Sequence, residues 1–402
     1  MMKILFVSYA YWPPDFGGEL LISIERFESL AGRGHQIVVL TSGQPGFLRR
    51  EERDGITILR SPMIGRRRFA RLIRRIVFAF WSLYYLLRLD YSILHWLSLS
   101  GINLASDAVI AWGFGWVAHR RGARVITVHA LADQEQQALD MEGARGRWKR
   151  ILLGQVDHIV AVSPALFQPL AEHFPGRSVL IVNGVRDDLF VPLDQERSTL
   201  RQQKQVPRDG VVFSFLGSVG RRKGFDTLAQ AFAELAPEHP DWRLWVVGPH
   251  SRQESQNIVG QEVEEVCQPL RGCEAQVVYW GRINDRPRLA RILAASDVFV
   301  FPSRREGMGV APLEAMAAGV PVIIARLPGI TDLANIHEQT GLYVEPGNVE
   351  QLKEAMRRLG EDPELRQRMG QAARQRIVEA FSWDQYVSRW EQLYARGEIE
   401  QP

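Results

Sequence analysis

EGMGVAPLEAMAAGVPV, residues 306–322, decides how the rest of this chain is read. It sets two carboxylates, Glu306 and Glu314, eight positions apart across a glycine-rich loop and a helix start. Gly307 and Gly309 let the backbone approach a ligand. Pro312 fits a first helical turn, where its missing N–H costs nothing, and Glu314 is expected in that same turn. A helix N-terminus offers unpaired N–H groups and the positive end of its dipole to phosphate, and carboxylates accept hydrogen bonds from neighbouring sugar hydroxyls. Gly319 closes the helix, and Pro321 leads into a strand at 321–325. The stretch reads as a loop–helix–strand unit built for a polyhydroxylated anion, or as the same unit carrying two incidental glutamates.

Outward from this unit, short β-branched runs alternate with helical segments. They lie at 3–8, 36–41, 124–129, 158–162 and 178–182, then at 211–217, 243–248, 276–280, 298–302 and 320–325. Continuous apolar strands separated by helices imply parallel sheets covered on both faces. Pro192, Pro207 and several charges mark a linker within 183–210, and 402 residues are too many for one core. The expected fold class is α/β, with two doubly wound Rossmann-like domains and a cleft between them. The domains are expected at 1–186 and 187–380, with 381–402 forming an amphipathic helix that packs back toward the first.

Composition is that of an ordinary soluble protein, with a net charge of +3. Cys267 and Cys273 have no C-x-x-C spacing, so neither a disulfide framework nor a zinc site is supported, and a reducing cytoplasm fits. The apolar start ILFVSYAYW is followed by Pro13, Pro14 and Asp15 without a small-residue cleavage site. It reads as a first buried strand, not a signal peptide.

Charge is unevenly spread. No acidic residue occurs between Gly55 and Leu89, whereas Arg60, Arg66, Arg67, Arg68, Arg71, Arg74, Arg75 and Arg88 crowd that segment. The run IVFAFWSLYYLL, 76–87, is too short to span a bilayer, which takes about 20 apolar residues. The segment from Arg66 to Leu87 therefore reads either as an interfacial anchor on anionic lipid or as a core helix preceded by a solvated arginine loop. No recognised nucleic-acid module accompanies the arginines, so nucleic acid is not expected as a partner.

Chemistry-bearing residues gather at strand ends. GSVGRRKGFDTL, 217–228, sets Arg221, Arg222 and Lys223 in a glycine-flanked turn before a helix that Asp226 or Thr227 can cap. Cations there would neutralise phosphate, although the turn is not a Walker loop. PPDFGGE, 13–19, supplies Gly17 and Gly18, whose amides can cradle a phosphate. His129 ends the buried run VITVHA, either facing the cleft or satisfied structurally. Asn183-Gly184 is a turn signal, and His35 is structural. Gly113-Phe-Gly115-Trp-Val-Ala118 matches a loose dinucleotide fingerprint. It sits in mid-domain, however, and the next strand ends in His129 instead of an acidic ribose ligand. There is no D-x-D triplet and no H-E-x-x-H. Metal-independent chemistry without a cofactor is expected.

Together these pieces resemble the retaining nucleotide-sugar glycosyltransferases of family four, which have the GT-B fold. The likeness covers nearly the whole chain: the Gly-Gly loop after the first strand, GRGHQIVVLT, VITVHA, IVNGVRDDLFVP, GSVGRRKG, SRREGMGVAPLEAMAAGVPV, TGLYVEPGNVEQL and the closing FSW. The resemblance implies an acceptor-binding first domain and a donor-binding second. In it, Glu314 corresponds to a ribose ligand and Glu306 to the holder of a donor-sugar hydroxyl. The backbone of Gly307, Met308, Gly309 and Val310 meets sugar and diphosphate, and Lys223 binds the diphosphate. Gly17 and Gly18 approach it from the other domain, His129 lines the sugar, and Ile283 belongs to a loop that shapes the site for base and sugar.

Two departures stand out. The family's usual arginine after the strand-ending glycine is Ser218 here, so Arg221 or Arg222 is expected to replace its charge. The family's N-G-V-D becomes Asn183-Gly184-Val185-Arg186. Resemblance further implies front-face transfer with retained configuration, the leaving phosphate taking the acceptor's proton. The acceptor is expected to be lipid-linked or a saccharide of the cell envelope, handled at the cytoplasmic face of the membrane. A nucleotide-sugar epimerase and a non-catalytic sugar-nucleotide-binding protein are the alternatives on a related fold.

Overall fold

The computed structural model describes residues 1–11, 18–63, 70–97, 105–129, 153–249 and 260–399. It divides into two compact units, Met1–Val182 with Val387–Pro402, and Asn183–Tyr386.

The first unit contains β1 (Lys3–Val7), α1 (Gly18–Gly32), β2 (Gln36–Thr41), β3 (Arg50–Arg53), β4 (Ile56–Arg60) and α2 (Ala70–Arg88). These are followed by β5 (Ile93–Leu97), α3 (Ala105–Arg120), β6 (Arg124–His129), β7 (His158–Ala161), α4 (Pro164–His173) and β8 (Ser178–Leu180). Its eight strands run in the order β3-β4-β2-β1-β5-β6-β7-β8. The expected strands are present, and β1 carries Ile4, Leu5, Phe6 and Val7 fully buried, as a strand covered on both faces requires. The sheet is not wholly parallel, because β3 pairs antiparallel with β4. Asp54 and Gly55, at φ 49° and 77°, make the two-residue reversal between them.

Helix α2 buries one face of the aromatic run and exposes the other. Phe78, Ala79, Ser82 and Leu86 face the core, while Ile73, Ile76, Phe80, Tyr84 and Leu87 are exposed. Gly113 and Gly115 lie inside α3 and not in a ligand loop. A Cβ on Gly115 would stand 2.6 Å from Gln155 Cβ, so this glycine serves close packing.

The second unit contains α5 (Asp194–Gln203), β9 (Val212–Leu216), α6 (Phe225–Leu235), β10 (Arg243–Val247), α7 (Gly260–Cys267), β11 (Val277–Gly281) and α8 (Arg286–Ala294). Then come β12 (Val298–Phe301), α9 (Val310–Ala317), β13 (Val322–Ala325), β14 (Gly341–Val344), α10 (Val349–Glu361), α11 (Pro363–Ala380) and the start of α12 (Trp383–Arg396). Its six strands are parallel, in the order β11-β10-β9-β12-β13-β14. The chain winds one way from β9 to β11 and the other way from β12 to β14, so the topological switch lies between β9 and β12. Doubly wound sheets bind ligands at the carboxyl ends of strands at such a switch.

The expected linker holds a helix. In α5, Arg201 donates to Asp297 Oδ2 at 2.7 Å, Arg197 pairs with the same carboxylate, and that carboxylate accepts from Val212 N–H at 2.7 Å. Burial pushes the Asp297 carboxyl up, but the two arginines and the backbone donor outweigh it and hold the group below its ordinary value. Residues 183–186 side with the second unit because Val185 bridges to Ser382 and Gly184 lies against Tyr386, where a Cβ would stand 2.4 Å from the tyrosine Cβ. Arg186, at the departure from N-G-V-D, pairs with Asp188 at 2.7 Å, and it is Asp187 that accepts from Trp383 N–H at 2.9 Å to start α12.

Candidate functional site

At the switch, β9 leads into residues 217–224 and β12 into 302–309. The two loops touch backbone to backbone. Arg304 N–H donates to Arg222 C=O at 2.9 Å. Gly224, in the left-handed region at φ +68°, has no room for a side chain, since a Cβ would stand 1.9 Å from Pro302 O. Gly224 also caps α6, so Asp226 and Thr227 are released from the expected capping role. They bind Arg304 instead: its guanidinium donates to both oxygens of Asp226, at 2.6 and 2.9 Å, and to Thr227 Oγ1 at 3.1 Å.

This loop contact joins two of the expected site residues. Lys223 Nζ donates to Glu306 Oε1 at 2.6 Å, with side chains 17% and 8% exposed. Arg222 stands 3.9 Å from the same oxygen and donates to Arg305 C=O at 3.3 Å. Arg221 turns elsewhere: its N–H donates to Glu262 at 2.8 Å and its guanidinium reaches Glu265 at 3.2 Å. Of the two arginines expected to replace the charge missing at Ser218, Arg222 is therefore the one beside Glu306. Ser218 itself is half-buried in the turn.

Helix α9 starts above the same strand ends. Its N-cap, Gly309, makes no side-chain capping bond, which leaves first-turn N–H groups for an anion. Gly309 is required by packing as well, because a Cβ would meet the Phe301 ring at 2.7 Å. Gly307 and Met308 are buried, and Val310 is half-buried. Pro312 lies in the first turn as expected. Glu314 does not: the helix begins at Val310, so Glu314 is its fifth residue, one turn in. Its carboxylate, 5% exposed, pairs with Arg286 at 2.7 Å.

Sequence reasoning missed Arg286. Its signal was a cation at the first position of α8, behind the N-cap Asp285, where the helix dipole disfavours positive charge. Ile283 lies half-buried between β11 and α8. In the first unit, His129 ends β6, paired with Ala161 of β7. Gly18 opens α1, and among the described residues no atom lies within 4 Å of where its Cβ would stand. Gly17 lies outside the described residues, as do Arg66, Arg67 and Arg68.

Residues 196–376 match the family model described as glycosyl transferases group 1, and residues 25–189 match that of glycosyltransferase family 4. The chain belongs to the family 4 glycosyltransferases. A relative of this enzyme, D-inositol 3-phosphate glycosyltransferase of Corynebacterium aurimucosum, is 29% identical over 323 residues, covering 76% of this chain and 72% of its own. Among solved structures, sucrose-phosphate synthase of Thermosynechococcus elongatus superposes with a TM-score of 0.77 at 24% identity, covering 98% of each chain. HepE of Anabaena, solved with UDP and glucose, gives 0.76 at 19% identity, covering 98% of this chain and 100% of its own. At these identities the two structures speak to the fold, and the glycosyltransferase has the GT-B fold.

Proposed function

We propose that this glycosyltransferase moves a sugar from a nucleoside-diphosphate sugar to a lipid-linked or saccharide acceptor with retained anomeric configuration, using neither metal nor cofactor. The observation that carries the reading is the Lys223–Glu306 contact beside the uncapped start of α9 at the sheet switch. A diphosphate needs the cations of Lys223 and Arg222 together with helix amides, and a sugar needs the carboxylate of Glu306. Glu314, a turn further on, takes the ribose, and Ile283 borders the base. Lys223, Arg222 and the amides of 308–310 stabilise the departing diphosphate, each such donor contributing up to about 3–4 kcal/mol in the transition state. The leaving phosphate takes the acceptor's proton, so the protein supplies no nucleophile. Complexes of HepE with UDP and glucose support the donor class.

The second unit, on this reading, binds the donor, and the first unit, which carries His129 and Gly18, binds the acceptor. The acceptor reading rests on α2. Its exposed apolar stripe lies among arginines, and among the described residues no helix is long and apolar enough to cross a membrane. That suits an enzyme working at the cytoplasmic membrane surface on a lipid-linked substrate.

The test is a thermal-shift screen of UDP-, GDP- and ADP-sugars, followed by NMR of the product formed from the stabilising donor. Stabilisation by a sugar nucleotide and a product of unchanged anomeric configuration are expected; a ligand at 100 times its Kd adds about 2.7 kcal/mol. An inverted product overturns the retaining mechanism, and epimer exchange with donor alone overturns transfer.

A further inference from the structure

We infer that Arg286 is a positioning residue that lets Glu314 select a ribonucleotide over its 2′-deoxy counterpart. This rests on the proposed ribose contact of Glu314. The carboxylate of Glu314 is 5% exposed, and an ionised carboxylate taken that far from water is tolerated only with a charged or hydrogen-bonded partner. Arg286 is that partner, its Nη1 2.7 Å from Oε1, and its own side chain is 14% exposed.

The arginine is itself fixed. Its guanidinium lies 4.8 Å from the centre of the Phe190 ring, which is fully buried. The backbone on either side is tied down by Arg374, which donates to Phe190 C=O at 3.0 Å, to Asp187 C=O at 2.9 Å and to Ala317 C=O, the last residue of α9, at 2.9 Å. Phe190, Arg286 and Glu314 thus form a chain from the packed 187–190 segment to the carboxylate. Arg286 also sits at the start of α8, against the helix dipole, a position with no benefit for the helix. Its benefit is to Glu314: it binds Oε1 in a fixed orientation, leaving Oε2 to accept from a ribose hydroxyl. A hydrogen bond aimed in advance discriminates more sharply than one that must be assembled on binding.

Isothermal titration of UDP, GDP and ADP against their 2′-deoxy forms tests this on the full chain. In the wild type the ribo form of the accepted nucleotide should bind at least about tenfold tighter than the deoxy form, the worth of one hydrogen bond to a charged group. Arg286→Ala should collapse that ratio to within about threefold of unity while leaving deoxynucleotide affinity unchanged, and Arg286→Lys, which retains a charged donor, should restore part of it. A role confined to fold stability would weaken both forms equally. If Glu314→Ala abolishes the ratio while Arg286→Ala keeps it, or if Arg286→Ala weakens both forms alike, the inference is overturned and the ribose contact stands. If the ratio is missing in the wild type or survives in Glu314→Ala, the ribose contact itself fails and the inference falls with it.

Discussion

Lys223 and Glu306 stand 83 residues apart in sequence and 2.6 Å apart in space. Parallel pairing of β9 with β12 brings their loops together, and the side-chain-free backbone at Gly224 lets the loops touch. The ion pair is mostly shielded, so it holds both groups in place before a donor arrives. Glu306→Ala should lower kcat by at least about a hundredfold, the scale of losing one transition-state electrostatic contact. Lys223 is 17% exposed and can be rehydrated, so circular dichroism and the melting temperature should show a folded protein. Near-normal turnover would remove Glu306 from the site.

Lys223→Ala should act on binding. Loss of one charge-assisted bond to a diphosphate weakens nucleoside diphosphate affinity by about tenfold or more. Titration calorimetry reads this directly, and an unchanged Kd would reject the assignment of Lys223 to the phosphates.

Gly224→Ala should destabilise the second unit by at least about 2 kcal/mol. A left-handed residue other than glycine costs about 1–2 kcal/mol, and overpacking against Pro302 O adds to it. Urea unfolding should show a lower midpoint, and donor affinity should fall with it because Lys223 and Glu306 are carried on the two displaced loops. A wild-type midpoint would show that the loops part without cost.

Much of this architecture was legible because buried parallel strands are written as continuous apolar runs, as in VFSFL of β9 or VFVF of β12. The strand REER carries no such signal: it is an edge strand held by a hairpin, and only the Asp54-Gly55 pair marks it. The helix in 194–203 was hidden by its mean polarity and has no buried residue of its own. At the site, local motifs marked Glu306, Lys223 and the open helix start. Arg286 escaped because its importance lies in a partner 28 positions away, and Glu314 fell outside the first turn because the helix starts directly after its Gly309 cap, earlier than a first turn holding Glu314 requires.

Stability should fall in mild acid through His95. Burial, reinforced by the nearby Arg26 charge, holds its pKa well below the ordinary 6.5. The ring is enclosed by Phe6, Phe27 and Trp390 and shares a 2.7 Å hydrogen bond with the Tyr394 hydroxyl. The folded state therefore keeps His95 neutral while the unfolded chain binds a proton below pH 6.5. That proton favours unfolding, so His95 costs nothing above pH 6.5 and about 1.4 kcal/mol per pH unit below it, until the folded pKa is reached. His95→Gln should flatten the unfolding free energy between pH 6.5 and 5 by that slope. Parallel pH profiles of the two proteins would reject the account.

The exposed stripe of α2 should bind anionic lipid. Ile73, Ile76, Phe80, Tyr84 and Leu87 recur at helical spacing on the face opposite the buried Phe78, Ser82 and Leu86, and Phe80 is 70% exposed. Arg75 and Arg88 are exposed on the same helix, Arg88 lying over the Tyr84 ring at 4.5 Å. Burial of such a stripe in the headgroup region, with about 1 kcal/mol for each arginine near an anionic surface, gives salt-sensitive association. Flotation with phosphatidylglycerol vesicles at low salt should recover the protein, and neutral phosphatidylcholine vesicles should recover far less. Phe80→Asp should abolish flotation with little change in stability, since the side chain it replaces already faces water. If the wild type fails to float with the anionic vesicles, α2 is not a membrane surface. If Phe80→Asp floats as the wild type does, attraction by the arginines alone accounts for the binding, and the apolar stripe has no part in it.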